Sequence, residues 1–287
     1  MIKSLLQRIY SFNIRERFLF NPFVYMDISS LGNYQGINTG IKRNLPVIVS
    51  IYAASNELKN MHLTIYSLLN QTMKPDKIIL WVDDSEDLQS LSYEITQFIK
   101  NGLEIKFVKE LGPYTAAYNA IKDYSESINV IAQNGFYYPT TWLKKLYASY
   151  IQYSEDIQVH IANRVKLKEN KVISSKFWEK EVKKDSADFS YIMNNNGGIL
   201  FPPNCFGNDF LRTDIFLKYA PVNSELWYWV MSLVYGRKIR VVKNALSFTI
   251  SVDILKFIKY KEDLELKDKQ LEDLLKFYQQ NVITKLS

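Results

Sequence analysis

The chain has one cysteine, Cys205, and two histidines, His62 and His160. A single thiol excludes an intramolecular disulfide and fits a reducing compartment, and two imidazoles cannot build a multi-histidine zinc site. No apolar run comes near the roughly 20 residues that a membrane-spanning helix needs. At the start, Lys3, Gln7 and Arg8 interrupt the stretch where a signal-peptide core would lie, so a cytoplasmic chain is expected. A net charge of +6 over 287 residues comes without any basic run or nucleic-acid motif. Nucleic acid is therefore not an expected partner.

What is present is a globular composition, with 47% hydrophobic and 14% aromatic residues, enough for a sizeable core. Val47 to Tyr52 is a continuous β-rich apolar run of the kind buried on both faces of a parallel sheet. A helix follows it, capped by Ser55 or Asn56, with His62, Ile65, Tyr66 and Leu69 in step. The pattern then predicts strands over Lys77 to Val82, Leu103 to Val108 and Ile128 to Ala132, separated by helices over Asp87 to Asn101 and Gly112 to Tyr124. Alternation at this pitch means βαβ units and a mainly parallel sheet flanked by helices, an α/β fold. A helix over Thr140 to Tyr153 comes next, and then a strand over Ile157 to Val165. Lys166 to Asn196 reads as a charged, solvated loop, Gly197 to Pro203 as a short apolar element, and Glu225 to Tyr235 and Lys238 to Val242 as a helix and a strand. Three divisions are expected. Residues 1–44 hold an amphipathic helix over Met1 to Phe20 and an irregular lead-in, residues 45–250 the α/β domain, and residues 251–287 a charged helical extension. The first helix fits either the inner membrane face or packing on its own domain or a partner subunit.

The strand Asn129 to Ala132 runs into Gln133-Asn134-Gly135-Phe136-Tyr137-Tyr138-Pro139 and a helix containing Trp142-Leu143-Lys144-Lys145-Leu146-Tyr147. These residues, with His62 to Thr72, Lys74 to Trp81, Gly197 to Asn204 and Leu226 to Gly236, resemble a family of bacterial glycosyltransferases of the GT-A fold, family-2-like. The resemblance covers about Leu45 to Gln280. It implies a GT-A-like domain, a nucleotide-sugar donor, a cell-surface glycan acceptor, and either peripheral inner-membrane contact or a partner glycosyltransferase.

The same resemblance assigns candidate site residues. Asp83 and Asp84, with Ser50 and Tyr52, stand where the family meets the nucleoside; from the residues alone, the two aspartates equally suit capping of the next helix. Gln133, Asn134 and Gly135 replace the acidic DxD-type cluster. Hard divalent cations want carboxylate oxygens, so the expectation is no metal and no cofactor, although Mn²⁺ or Mg²⁺ is the ion the family implies. Arg164, His160, Gly197 and Gly198 fall on the acceptor or phosphate side, although the residue itself favours a structural ion pair for Arg164. Glu225 matches the general base position, and a first-turn glutamate also suits the helix dipole. Further departures from the family are Thr115 and Ala116, Ile161 and Asn163, and Gly207, each in place of a polar or basic residue. Two readings result. One is a glycosyltransferase with an atypical, metal-independent site, and the other is an inactive pseudo-glycosyltransferase serving as a binding or scaffold subunit.

Overall fold

The computed structural model describes residues 35–58, 61–182, 184–246, 250–252, 263–278 and 284–286. The helix expected over Met1 to Phe20 lies outside the described residues. From Gln35 onward the chain forms one compact unit.

Strand β1 (Val47–Ala53) is buried at nearly every position, as its unbroken apolar sequence requires. Helix α1 (Met61–Leu69) leads to β2 (Lys77–Asp83), and a short α2 (Tyr93–Thr96) leads to β3 (Leu103–Val108). Helix α3 (Thr115–Asp123) then leads to β4 (Ile128–Ala132). Next come β5 (Phe136–Tyr137), α4 (Trp142–Gln152), β6 (Ile157–Val159), β7 (Ala162–Arg164) and a hairpin of β8 (Leu167–Lys168) and β9 (Lys171–Val172). β10 (Ser186–Asp188), β11 (Tyr191–Met193), β12 (Ile199–Phe201), α5 (Thr213–Tyr219) and α6 (Ser224–Val234) follow. β13 (Ile239–Val241), β14 (Ile250–Ser251) and α7 (Leu264–Phe277) complete the order.

The central sheet has eight strands in the order β10-β13-β6-β12-β4-β1-β2-β3. β1 pairs in parallel with β2 and β4, and β2 with β3. β12 enters antiparallel between β4 and β6, with Ile199 opposite both Ile131 and Val159. β13 is parallel to β6, and β10 closes that side antiparallel. The sheet is thus mainly parallel and flanked by helices. Among the described residues, no helix is long and apolar enough to cross a membrane.

Four expectations are corrected. Asp87 to Asn101 is helical only from Tyr93, because the Asp87 carboxylate accepts from the Gln89 and Ser90 N–H groups at 2.8 and 2.9 Å and holds a local turn instead. The strand expected over Ile157 to Val165 breaks at His160 and Ile161, and β7 leaves the sheet to pair with β11. The segment Lys166 to Asn196 is folded, not a solvated loop: Trp178, Val182, Tyr191, Ile192 and Met193 are buried, and β10 joins the main sheet. No side-chain cap from Ser55 or Asn56 starts α1, since Ser55–Glu57 forms its own 3-10 turn.

The entry of β12 depends on two glycines. Gly198 has φ +79, and a Cβ there would meet the Trp142 indole at 2.5 Å. The Trp142 Nε1–H donates to the Gly197 carbonyl at 2.8 Å, and a Cβ on Gly197 would meet Ile161 at 2.9 Å. Beyond β12 the core is aromatic, with Phe206 stacked on Phe210 at 4.5 Å, Tyr114 on Phe216 at 4.1 Å, and Phe201 edge-on to Phe206. Cys205 is buried in this cluster, and burial raises its thiol pKa. Gly198→Ala, which adds a clash to an unfavourable φ, is expected to lower the unfolding free energy in urea by about 2–3 kcal/mol. Gly135→Ala, at φ +85 with open space around the Cβ, is expected to cost about 1 kcal/mol.

Candidate functional site

The chain winds from β1 outward to β2 and β3, then returns to β4 on the other side of β1. This places a topological switch between β1 and β4, and in open α/β sheets ligands bind beyond the carboxyl ends of the strands at such a point. Tyr52 near the end of β1, Asp83 at the end of β2, Glu110 after β3, and Gln133 and Asn134 after β4 form that rim, together with Glu57.

Asp83 is held in place by its own turn. Its Oδ1 accepts from the Ser85 N–H at 2.9 Å. The Ser85 side chain and backbone, then the Glu110 backbone N–H, hold the carboxyl below its usual range. It therefore does not cap a helix. Asp84 is exposed, and its N–H donates to the Val108 carbonyl at 3.0 Å. The Tyr52 hydroxyl is shut off from solvent. Burial, then the adjacent Glu110 carboxylate, then Asp83 and Glu57 push the phenol above its usual range, although the Tyr52 to Glu110 contact falls short of good hydrogen-bond geometry. Ser50 lies two residues back on the same side of β1, wholly buried, with its hydroxyl unpaired.

At the break after β4, the Asn134 Nδ2 donates to the Glu57 carbonyl at 3.1 Å, so this amide braces the rim. The Gln133 backbone exchanges hydrogen bonds with the buried Tyr138 hydroxyl at 2.8 and 3.3 Å. Gly135 takes φ +85 to turn the chain into β5. These groups do not fit a divalent cation. The positions after β4 offer no carboxylate, and among the described residues no group of three or more His, Cys, Asp or Glu is placed to hold a metal.

Glu225 stands in the first turn of α6, joined to the rim side by the Asn195 Nδ2 to Ser224 Oγ bond of 3.0 Å. Its Oε1 receives the Lys267 Nζ from α7 at 3.2 Å, with the lysine side chain only 5% exposed. Arg164 is not at the rim. It bonds Glu179 at 3.2 Å and the Tyr191 hydroxyl at 2.9 Å and lies over the Tyr191 ring, and that hydroxyl is the main cause of its raised pKa. A pocket of about 610 Å³ opens beside it, lined mainly by charged residues and sharing none of them with the rim. His160 is buried, its Nδ1 accepting from the Leu246 N–H at 3.2 Å, which leaves Nε2 to donate to the Trp142 carbonyl at 3.1 Å. Gly197 and Gly198 serve the packing of Trp142 and Ile161 described above.

No family model and no curated protein matches the chain. Solved structures similar to it include the inositol-1-phosphate CTP transferase from T. maritima, at 13% identity and TM-score 0.41, covering 82% of this chain and 98% of that one. Others are 4-diphosphocytidyl-2C-methyl-D-erythritol synthase, at 8% identity and TM-score 0.46, covering 75% and 96%, and HddC from Yersinia pseudotuberculosis, at 17% and 0.31, covering 61% and 80%. Likeness at this level carries no chemistry across to this chain.

The positions that depart from the resembled family are occupied by scaffold contacts. Thr115 Oγ1 accepts from the Leu111 N–H and donates to the Gly112 carbonyl, both at 2.9 Å, closing the turn before α3. Asn163 Oδ1 accepts from the Glu181 N–H at 2.9 Å, and Gly207 leaves room for the Tyr235 ring. Sequence reasoning missed Glu57, Glu110 and Lys267. The first two each follow a strand end and were legible as such, whereas Lys267 sits on a charged helix with nothing to mark it.

Burial holds the His160 pKa down at about 4, against 6.5 for a free imidazole, with Lys145 adding to the effect and the Trp142 carbonyl opposing it. The unfolded chain therefore binds a proton that the folded chain refuses. The resulting stability is complete above pH 6.5 and is lost as pH falls toward 4, amounting to roughly 3 kcal/mol. Urea unfolding of wild type and His160→Gln across pH 4 to 7 is expected to show this component in the wild type alone.

Proposed function

We propose that the chain binds a nucleotide sugar through its nucleoside at the carboxyl rim of β1 and β2, and transfers the sugar to a glycan hydroxyl deprotonated by Glu225. The observation that carries this reading is Asp83, a carboxylate at the carboxyl end of β2, next to the strand that borders the topological switch, with Oδ1 held by the Ser85 N–H. A carboxylate so held is suited to accept from a base N–H or a ribose hydroxyl. In the transfer, Glu225 takes the acceptor proton as the acceptor oxygen bonds to the anomeric carbon, and the nucleoside diphosphate leaves with the electrons of the broken bond.

The charge at the rim limits how the donor is held. Among the described residues, the charged groups that act on Tyr52 there are all acids, Glu110, Asp83 and Glu57, and Arg164 is engaged elsewhere. Affinity therefore resides in the nucleoside more than in the diphosphate. A second reading, a pseudo-glycosyltransferase that retains the nucleoside pocket as a binding subunit, is favoured by the engagement of Glu225 with a buried lysine and by the loss of acids after β4.

Calorimetric titration with uridine, UDP and a panel of UDP-, GDP- and CMP-sugars, with and without Mn²⁺, tests the reading. Expected are binding independent of Mn²⁺, affinities for uridine and UDP within about tenfold, and loss of binding in Asp83→Ala. No binding of any nucleotide under either condition overturns it. Binding without turnover in the presence of acceptor glycans selects the second reading.

A further inference from the structure

We propose that the groove at the carboxyl ends of β6 and β13 is a second binding site, separate from the rim, and that it takes a phosphate monoester carried by a small soluble molecule such as a sugar phosphate. β12 is antiparallel to both β4 and β6, so β6 runs with β4, and β13 runs with β6. The two strands therefore end on the same edge of the sheet as β1, β2 and β4, the edge at which open α/β sheets meet their ligands. Past those ends lies a cavity of about 340 Å³, with His160 and Ile161 after β6 on one side and the residues from Val242 to Leu246 after β13 on the other. It shares Glu181 and Val182 with the pocket of about 610 Å³ beside Arg164, so the two openings form one groove. Volumes of this order suit a small ligand. The site stands whether or not the rim binds a nucleotide.

The walls of the groove are fixed by hydrogen bonds. Arg164 and Glu179 exchange N–H to carbonyl bonds at 2.8 and 3.1 Å, and the Val182 N–H donates to the Ala162 carbonyl at 2.8 Å. Between these anchors Lys180 and Glu181 together oppose Asn163 alone, which makes a bulge, with Glu181 at φ +49 and its N–H donating to the Asn163 Oδ1 at 2.9 Å. On the other wall Asn244 takes φ +52 while its carbonyl accepts from the Lys145 Nζ at 2.8 Å, and the Leu246 N–H is held by His160. Left-handed backbone at non-glycine residues persists only where the surroundings over-determine it, and it gathers at ligand sites. The charges then select the ligand. Glu179 pairs with Arg164 at 3.2 Å and Asp185 lies 3.9 Å from Arg240, whereas Lys180, Lys184 and Lys243 have no carboxylate within ion-pair distance among the described residues. Three ammoniums set against the one remaining carboxylate of the groove, Glu181, leave a surplus of two positive charges. A phosphate monoester carries about two negative charges near pH 7 and accepts from lysine ammoniums as a point charge, so it matches that surplus where a single carboxylate would not.

Calorimetric titration of the full chain with a hexose 1-phosphate, the free hexose and inorganic phosphate tests the site. Expected are a dissociation constant of about 1 mM or lower for the hexose 1-phosphate at low salt, weaker binding as salt rises, and no binding of the free hexose. Lys180→Ala, Lys184→Ala and Lys243→Ala are each expected to weaken binding several-fold, and the triple variant to abolish it, with the urea midpoint of unfolding unchanged because all three side chains are exposed. Lys100→Ala, an exposed lysine that lines neither opening, is expected to bind as the wild type does. No binding of either phosphate at about 10 mM overturns the proposal. Equal weakening by Lys100→Ala overturns it too, since that result marks attraction to net charge and not to the groove. Free hexose binding as tightly as its phosphate overturns the phosphate assignment. Retention on vesicles bearing phosphatidate by the wild type and not by the triple variant, without binding of the soluble phosphates, overturns the soluble ligand in favour of a lipid headgroup.

Discussion

The Trp142 indole, clamped between the Gly197 carbonyl and the bare Cα of Gly198, is the contact on which the second half of the sheet depends. It admits β12 antiparallel between two parallel strands, and every strand beyond β12 is placed through it. His160 reports the same junction from the other side, since its ring joins the Trp142 carbonyl to the Leu246 amide. A side chain of ordinary size at Gly198 would push the indole out of the position that fixes both α4 and β12. Burial of an indole with its one donor satisfied combines a large apolar contribution with a directional constraint, which is why such residues set geometry as well as stability.

The first half of the molecule is organised by a different device. Asp76 accepts from Arg43, from the Asn38 amide and from the Val47 N–H at 2.6 to 2.7 Å, so one carboxylate ties the lead-in to the start of β1. The buried Gln71 does the same at the other end of α1, donating to Ser67 and Pro139 and accepting from the Leu143 N–H. Polar residues in this protein are spent chiefly on such joints. At the rim of β1 to β4 the Tyr52 and Ser50 hydroxyls have no such joint to serve, and acids gather around Tyr52. What sets this region apart from the joints is the gathering of Glu110, Asp83 and Glu57 around the shut-off Tyr52 hydroxyl.

β1, β2 and β4 were legible as mainly apolar runs and β3 as an alternation of apolar and charged residues, each long enough to carry its own signal, and Leu103 to Val108 and Ile128 to Ala132 match the observed strands end to end. β6 and β7 read as one strand because nothing in Ile157 to Val165 marks the break at His160 and Ile161, and the three-residue strands β10 and β11 carry no signal of their own. Their existence depends on partners far along the chain, and the charged stretch around them conceals the few anchors, Trp178 and Tyr191 among them. The sense of β12 was equally out of reach, since Ile199-Leu200-Phe201 reads alike in either direction. The place of Asp83 at the end of β2 was legible, because its strand carries its own signal. The engagement of Arg164 by Tyr191 and of Glu225 by Lys267 could not, because each joins segments whose proximity only the folded chain creates.

The placement of β12 also sets an order of events. β6 pairs with β12 and β13 alone, and both come later in the chain. As the polypeptide leaves the ribosome, β1 to β4 can assemble as they emerge, whereas β6 waits without a partner until Phe201 has been made. Nascent chains halted between Val159 and Phe201 therefore hold a half-built sheet whose β4 edge is open, and this is the interval in which the protein is most exposed to mispairing or chaperone capture.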